Sequence, residues 1–359
     1  MTTLKGLGLN IISAGMVTAV GLNRAASAAA LRGAIDGFAE TQFVVPGGDW
    51  LLGAPVPLPK NWIGEKRLAH LAAGAVVDSL AEHVSVKADL EVIFCLAEHE
   101  RPGRPVRDPE SFAQKVLKFA GLPPQTKCQV VTHGRPSGFV ALERARRSLK
   151  DGETEHVLIV GADTLLTGPT VAHYLRENRL LTAENANGFI PGEAAAAILC
   201  TAGEATHFAL AGLGLTREKA FLYNGLDKDG LDIPLRADGM TQAYRDALEM
   251  SALQDFGRID FRLSDVSGEH FFFKQSALSM QRTMRLHRDP QPIWSPADCL
   301  GNIGAAFVPL MVAWGLEAFE KGYADGHLIM VEGSGDDGAC GAAIFQTPNR
   351  GDVRQGDAA

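Results

Sequence analysis

Residues 128–163 read CQVVTHGRPSGFVALERARRSLKDGETEHVLIVGAD. The changes of pattern inside this stretch decide the fold class. Cys128–Val131 is a short run of β-formers, and His133–Gly138 is a turn with glycine, proline and serine. From Phe139 to Lys150 the apolar residues Phe139, Leu142, Ala145 and Leu149 recur at helical spacing. Arg144, Arg146 and Arg147 fall on the other side, where such a run reads as a solvated helix face. Asp151-Gly152 stops the helix, and His156–Val160 is the next strand, ending in Gly161-Ala162-Asp163. Strand, turn, helix, glycine and strand in that order is the repeating unit of an α/β sheet.

Working outward, Leu90–Leu96 is a continuous apolar run and reads as a strand buried on both faces. Leu9–Ser13 is a further strand; Ala25–Gly33, Glu65–His83 and Glu110–Phe119 are helices, and residues 40–62 are a proline- and glycine-rich loop. The unit recurs near the C-terminus. Asn302–Gly304 is a turn, Ala305–Lys321 a helix, and His327–Val331 a strand. HVLIVGAD (156–163) and HLIMVEGS (327–334) occupy equivalent places, and each precedes a second apolar strand, Ala194–Cys200 or Gly341–Phe345. The order predicts an internal duplication, with halves 1–205 and 206–359 forming one compact unit. Residues 203–255 read as an excursion plus the first strand of the second half.

The chain has 359 residues, 46 % hydrophobic and 21 % charged, which excludes a disordered chain. Lys plus Arg is 34 against 42 Asp plus Glu, a formal charge of −8 that gives no overall field favouring nucleic acid or anionic membrane. Thirty-nine glycines against 7 % aromatics predict close backbone packing rather than a bulky core. The five cysteines, at 95, 128, 200, 299 and 340, form no CxxC and are read as reduced, mostly buried thiols of a cytoplasmic protein. No apolar run of about 18 residues is present, so no membrane span is expected. The apolar stretch Gly6–Leu22 loosely mimics a secretion signal, but Asn10, Ser13, Gly15 and Gly21 interrupt it, and a strand, turn and helix fit it better. No metal, dinucleotide or phosphate motif occurs, so neither cofactor nor metal is expected.

Seven segments, in order, carry a family resemblance: NIISAGMVTAVGLN (10–23), VVTHGRPSGFVALERARRSL (130–149), GADTLL (161–166), NGFIPGEAAAAIL (187–199), DVSGEH (265–270), CLGNIGAA (299–306) and GDDGACGAAIF (335–345). Together they resemble the β-ketoacyl synthases of the thiolase superfamily, and NGFIPGEAAAAIL is the most specific piece. The resemblance implies a thiolase-like five-layered αβαβα fold of two similar halves. It also implies a homodimer or heterodimer formed through edge strands.

A condensing enzyme needs a cysteine thiolate at a helix N-terminus, an imidazole pair or His plus Asn, and a glycine-rich hairpin along the acyl path. The resemblance places Arg135 at the nucleophile position, with no gap needed. A guanidinium stays charged and is not nucleophilic, and it opposes the helix dipole. The first histidine position falls at Ser267 and the second at Asn302, while a supporting lysine falls at Ala297. A register shifted by three would put Ala305 at the second position. The phenylalanine of the closing hairpin falls at Asp336, next to Asp337. Arg135 pairing with a carboxylate of that hairpin is the arrangement expected to satisfy its charge. Replacement reagents are sought in Cys299 with His270, in Ser137 with His133, and in Glu269.

These departures imply a non-catalytic member of the superfamily, acting as a dimeric scaffold or adaptor for a protein partner. By analogy with degenerate relatives, that partner is a type VI secretion effector, or else an active synthase to which the chain is a chain-length-factor-like partner. The competing reading is an acyl-CoA or acyl-carrier-protein acyltransferase or condensing enzyme with a rearranged site. A third is an acyl-chain or carrier-protein binding module without turnover.

Overall fold

The computed structural model describes residues 4, 6–203, 208–224, 230–231, 233–288 and 291–347. In chain order the first half runs β1 (Leu9–Val17), α1 (Arg24–Arg32), β2 (Ala39–Val44), β3 (Trp50–Gly53), α2 (Gly64–Ser79), β4 (Leu90–Cys95), α3 (Pro109–Ala120), β5 (Lys127–Val131), α4 (Ser137–Lys150), β6 (His156–Thr164), α5 (Gly168–Arg176) and β7 (Glu193–Ala202). The second runs β8 (Phe208–Arg217), α6 (Asp238–Met250), β9 (Phe261–Ser264), α7 (His270–Thr283), β10 (Ile293–Trp294), α8 (Ala297–Leu300), α9 (Phe307–Glu320), β11 (Leu328–Ser334) and β12 (Ala339–Gln346). The local reasons are ordinary ones. In α3, for example, Asp108 accepts from the N–H groups of Glu110 and Ser111, Pro109 sits in the first turn, and Gly121 ends the helix at φ +66°.

Among the described residues, ten strands pair in the order β5-β4-β6-β7-β1-β8-β12-β11-β9-β10. Read outward from the centre, β1-β7-β6-β4-β5 is matched by β8-β12-β11-β9-β10. The directions match too: β4 is parallel to β5 and β6, as β9 is to β10 and β11. β7 is antiparallel to β6 and β1, as β12 is to β11 and β8. The halves meet antiparallel at Asn10–Ala209 and Ile11–Phe208. Helices α2 and α3 cover the outer face of the first half, α6 and α7 that of the second, and α4 and α9 lie between. This is the thiolase-like αβαβα arrangement. The expected boundary between residues 205 and 206 lies outside the described residues.

Apolar clusters follow the layers. The central one contains Phe139, Leu142, Phe208, Phe307, Leu310 and Phe345, and outer ones surround Phe94–Phe112 and Tyr244–Phe256. Glycine sets the helix–sheet spacing on both outer faces. A Cβ on Gly15 of β1 would lie 2.2 Å from the Ala75 carbonyl oxygen of α2. On Gly212 and Gly214 of β8 it would lie 2.0 Å from the Ala247 and Ala243 oxygens of α6. The glycine excess is thus partly a requirement of backbone approach.

Several expectations need correction. Residues 40–62 are not wholly loop: β2 and β3 pair as a hairpin apart from the main sheet. Helix α2 ends at Ser79 rather than His83, and a 3-10 turn, Val84–Ala88, follows. Residues 203–255 contain α6 as well as β8. Arg144 does not simply face water, since it donates to the Gln129 side chain and to the Val130 carbonyl. No helix among the described residues is long and apolar enough to cross a membrane.

Candidate functional site

The turn between β5 and α4 is held by its own polar groups. Gly134 adopts φ +62°, and a Cβ there would run into the Glu98 carboxylate. The Gly134 N–H donates to the Leu96 carbonyl, and the Ser137 N–H to the Gly134 carbonyl. Ser137 Oγ accepts from the His133 N–H at 2.9 Å and donates to the Leu96 carbonyl at 3.4 Å. Ser137 is therefore a fully buried latch of the turn rather than a nucleophile. The contact runs through the His133 main chain, while the residue itself is exposed, so no Ser–His couple exists here.

Arg135 is 3 % exposed. Its guanidinium lies 4.0 Å over the Phe272 ring, donates from Nη2 to Asp336 Oδ1 at 3.2 Å, and places Nη1 3.6 Å from Asp265 Oδ2. The expected pair with a hairpin carboxylate is present, and it is part of a larger network. Arg179 binds both oxygens of Glu269, at 2.7 and 2.8 Å, and both oxygens of Asp336, at 2.5 and 3.1 Å. Its remaining donor goes to Tyr223 Oη at 2.7 Å, so every guanidinium N–H is used. Arg179 was not among the sequence candidates. It follows α5 and reaches Asp336 across 157 positions of sequence.

A second buried pair adjoins the first. Arg101 binds Asp163 through both nitrogens, and Asp163 also accepts from the Ala305 N–H at 2.9 Å. Glu98 lies beside Arg101, and burial pushes its carboxyl above the usual range. Burial also acts to raise the Asp336 carboxyl, but Arg179 and Arg135 outweigh it and hold it below the usual value. At Asp265 burial wins over Arg135, and the carboxyl is pushed from 3.8 to about 6.

The two aspartates therefore have opposite linkage. Stability from Asp336 is present above the unfolded value of 3.8 and is lost as pH falls through its lowered folded value. Stability from Asp265 is complete below 3.8 and is lost as pH rises through about 6. Asp265→Asn, which resembles the protonated carboxyl, is thus expected to stabilise the fold at pH 8 by about 1–3 kcal/mol. Near pH 4 it is expected to change little, and urea unfolding at the two pH values measures the difference.

The remaining sequence candidates do not form a reagent. Ser267 is buried, 7 % exposed, and its hydroxyl has no hydrogen-bond partner among the described residues. Asn302 accepts from the Gly304 N–H at 3.0 Å, and its main chain bonds Ile190 and Gly192. Its side-chain oxygen is thus engaged in the turn. Ala297 opens the four-residue α8 and supplies no ammonium group. Asp337, expected beside Asp336, points away: its side chain is about half exposed and pairs with Arg217 at 2.6 Å. Cys299 is buried and its thiol is pushed up to about 11, mainly by burial. His270 is exposed at the start of α7, where its N–H donates to Asn187 Oδ1, and no hydrogen bond joins it to Cys299. Glu269 is committed to Arg179. Chemically, the turn before α4 presents a buried, paired cation.

Residues 130–205 match the sequence model of the β-ketoacyl synthase N-terminal domain. Comparison with curated proteins gave no match. Among solved structures, the chain resembles the ishigamide ketosynthase/chain length factor, with TM-score 0.77 and 17 % identity over 97 % of this chain and 100 % of that one. It also resembles a β-ketoacyl synthase from Burkholderia phymatum STM815, with TM-score 0.71 and 19 % identity over 96 % and 100 % of the two chains. A third is a ketosynthase in complex with its chain length factor from Xenorhabdus doucetiae, with TM-score 0.73 and 14 % identity over 95 % and 98 %. At these identities the likeness to solved structures is one of fold.

Proposed function

From a fold shared with ketosynthases and the match of residues 130–205 to the β-ketoacyl synthase N-terminal domain, we propose a protein that does not condense acyl groups and acts as the partner subunit or scaffold of another protein. The observation that carries this reading is the buried Arg135 clamped by Asp336 at the start of α4. A thiolate there would be favoured by the helix dipole, whereas a guanidinium can neither accept an acyl group nor leave without exposing charged partners.

The partner in this reading is a second ketosynthase-fold chain. Two of the similar solved structures are named as a ketosynthase together with a chain length factor, which supports that choice. Among the described residues strand β5 pairs on one side only, with β4, and its other edge is where a second chain would add in a homodimer or heterodimer. Residues 1–205 and 206–359 are proposed to work as one unit in it. A secreted effector is the alternative partner, and capture of such a protein in place of a synthase would redirect the reading.

Incubation with malonyl- and acyl-carrier protein, followed by intact mass, is expected to show no adduct. A stable adduct that disappears on mutating one Cys or Ser would overturn the proposal in favour of an acyltransferase. Arg135→Cys is expected to restore neither condensation nor malonyl decarboxylation, because Ser267 and Ala297 still stand at the histidine and lysine positions. Carbon dioxide released from malonyl-carrier protein by that variant is the contrary result.

A further inference from the structure

The chain is poor in aromatics, yet two of its four tryptophans and one of its four tyrosines meet at one place away from the Arg135 turn. Trp294, Trp314 and Tyr323 wall a cavity of about 330 Å³ between the end of α1, the β10–α8 connection and α9. That volume lies within the range of small-molecule sites. The Trp294 ring centroid is 5.0 Å from Trp314 and 6.1 Å from Tyr323, and Phe261 backs it at 4.6 Å. The aromatic surface is therefore braced from behind, and Leu31 and Cys299 complete the lining.

Two polar groups of this cavity lack a well-formed hydrogen bond among the described residues. Trp314 is only 6 % exposed, and its Nε1 has no well-formed hydrogen bond among the described residues. The Tyr323 hydroxyl is likewise without one. Burial pushes Tyr323 up to about 12, and the Trp314 indole beside it acts in the opposite direction, so the two polar ends are neighbours. Buried donors almost always have a well-aligned acceptor, and here the two groups have only each other, outside good hydrogen-bond geometry. At the rim, Arg32 stacks 4.4 Å over the Tyr323 ring and makes no ion pair among the described residues. Trp294 Nε1 is already bonded to Asp325, which fixes the orientation of the ring where it lines the cavity.

We propose that this cavity binds a planar aromatic small molecule carrying a hydrogen-bond acceptor, its ring against Trp294 and its acceptor toward Trp314 Nε1 and Tyr323 Oη. The site is independent of the Arg135 cluster and of the partner reading above.

A Trp50→Phe/Trp62→Phe variant leaves Trp294 and Trp314 as the only tryptophans, so its fluorescence reports this cavity alone. Benzamide, benzoate and benzylamine serve as probes of equal ring size. Saturable quenching by benzamide or benzoate is expected, with benzylamine, which offers no acceptor, at least about tenfold weaker. Adding Trp314→Phe keeps the ring and removes the N–H, and is expected to weaken benzamide about fivefold with the far-ultraviolet circular dichroism unchanged. Strictly linear quenching by all three probes, benzylamine binding as tightly as benzamide, or indifference to Trp314→Phe in a folded variant would each overturn the proposal.

Discussion

Asp336→Ala is expected to destabilise the folded chain by about 3–5 kcal/mol, the range found when one partner of a buried ion pair is removed. Asp336 accepts from Arg135 and twice from Arg179, and the two arginine side chains are 3 % and 6 % exposed. Without it Arg179 retains Glu269, but the one carboxylate left to Arg135 among the described residues is Asp265 at 3.6 Å, beside the Phe272 ring. A buried guanidinium cannot neutralise itself by losing a proton, so the cost appears as stability. Urea unfolding at pH 7 measures it. Asp337→Ala provides the control one residue away: its ion pair is solvent-exposed, and about 1 kcal/mol or less should be lost. Equal losses for the two variants would show that the Asp336 cluster is not a cooperative unit.

The second large effect is steric. Gly214→Ala is expected to cost about 3 kcal/mol or more, at the upper end of overpacking. The added carbon would sit 2.0 Å from the Ala243 oxygen and 2.8 Å from its carbonyl carbon. Both are backbone atoms of α6, which no rotamer change can move. The whole helix must lift from β8, carrying Tyr244 and Ala247 out of their packing. Gly168→Ala meets nothing within 4 Å and is expected to be neutral or stabilising by about 0.5 kcal/mol. Thermal unfolding of the two variants side by side separates contact from conformational entropy.

The fold was legible where periodicity and punctuation agreed. The strand–turn–helix of residues 128–150 announces itself because a glycine turn separates two clean periods. The same holds for the copy around Ala305–Lys321. The β2–β3 hairpin was not legible, because it pairs outside the main sheet and most of its residues are exposed or half-buried. Helix α6 was missed for lack of a start signal: Ala237 precedes it in a left-handed conformation, and no side chain caps it. The Arg135–Asp336 pair was readable because both residues fall on pattern positions of the resemblance. Arg179 has no such marker, and only tertiary structure brings it to Asp336. The opposite directions of Asp336 and Asp337 follow from the hairpin tip, where neighbouring side chains diverge.

The shared Asp336 carboxylate also constrains how such a sequence can change over generations. Placing a thiol at position 135 strips one of two cations from the cluster, and placing an apolar residue at 336 strips the anion between them. Either step alone passes through a protein weakened by several kcal/mol, against a total stability of about 5–15 kcal/mol. Changes at 135, 179 and 336 must therefore arrive nearly together to be tolerated. The cluster acts as an interlock that couples these three positions.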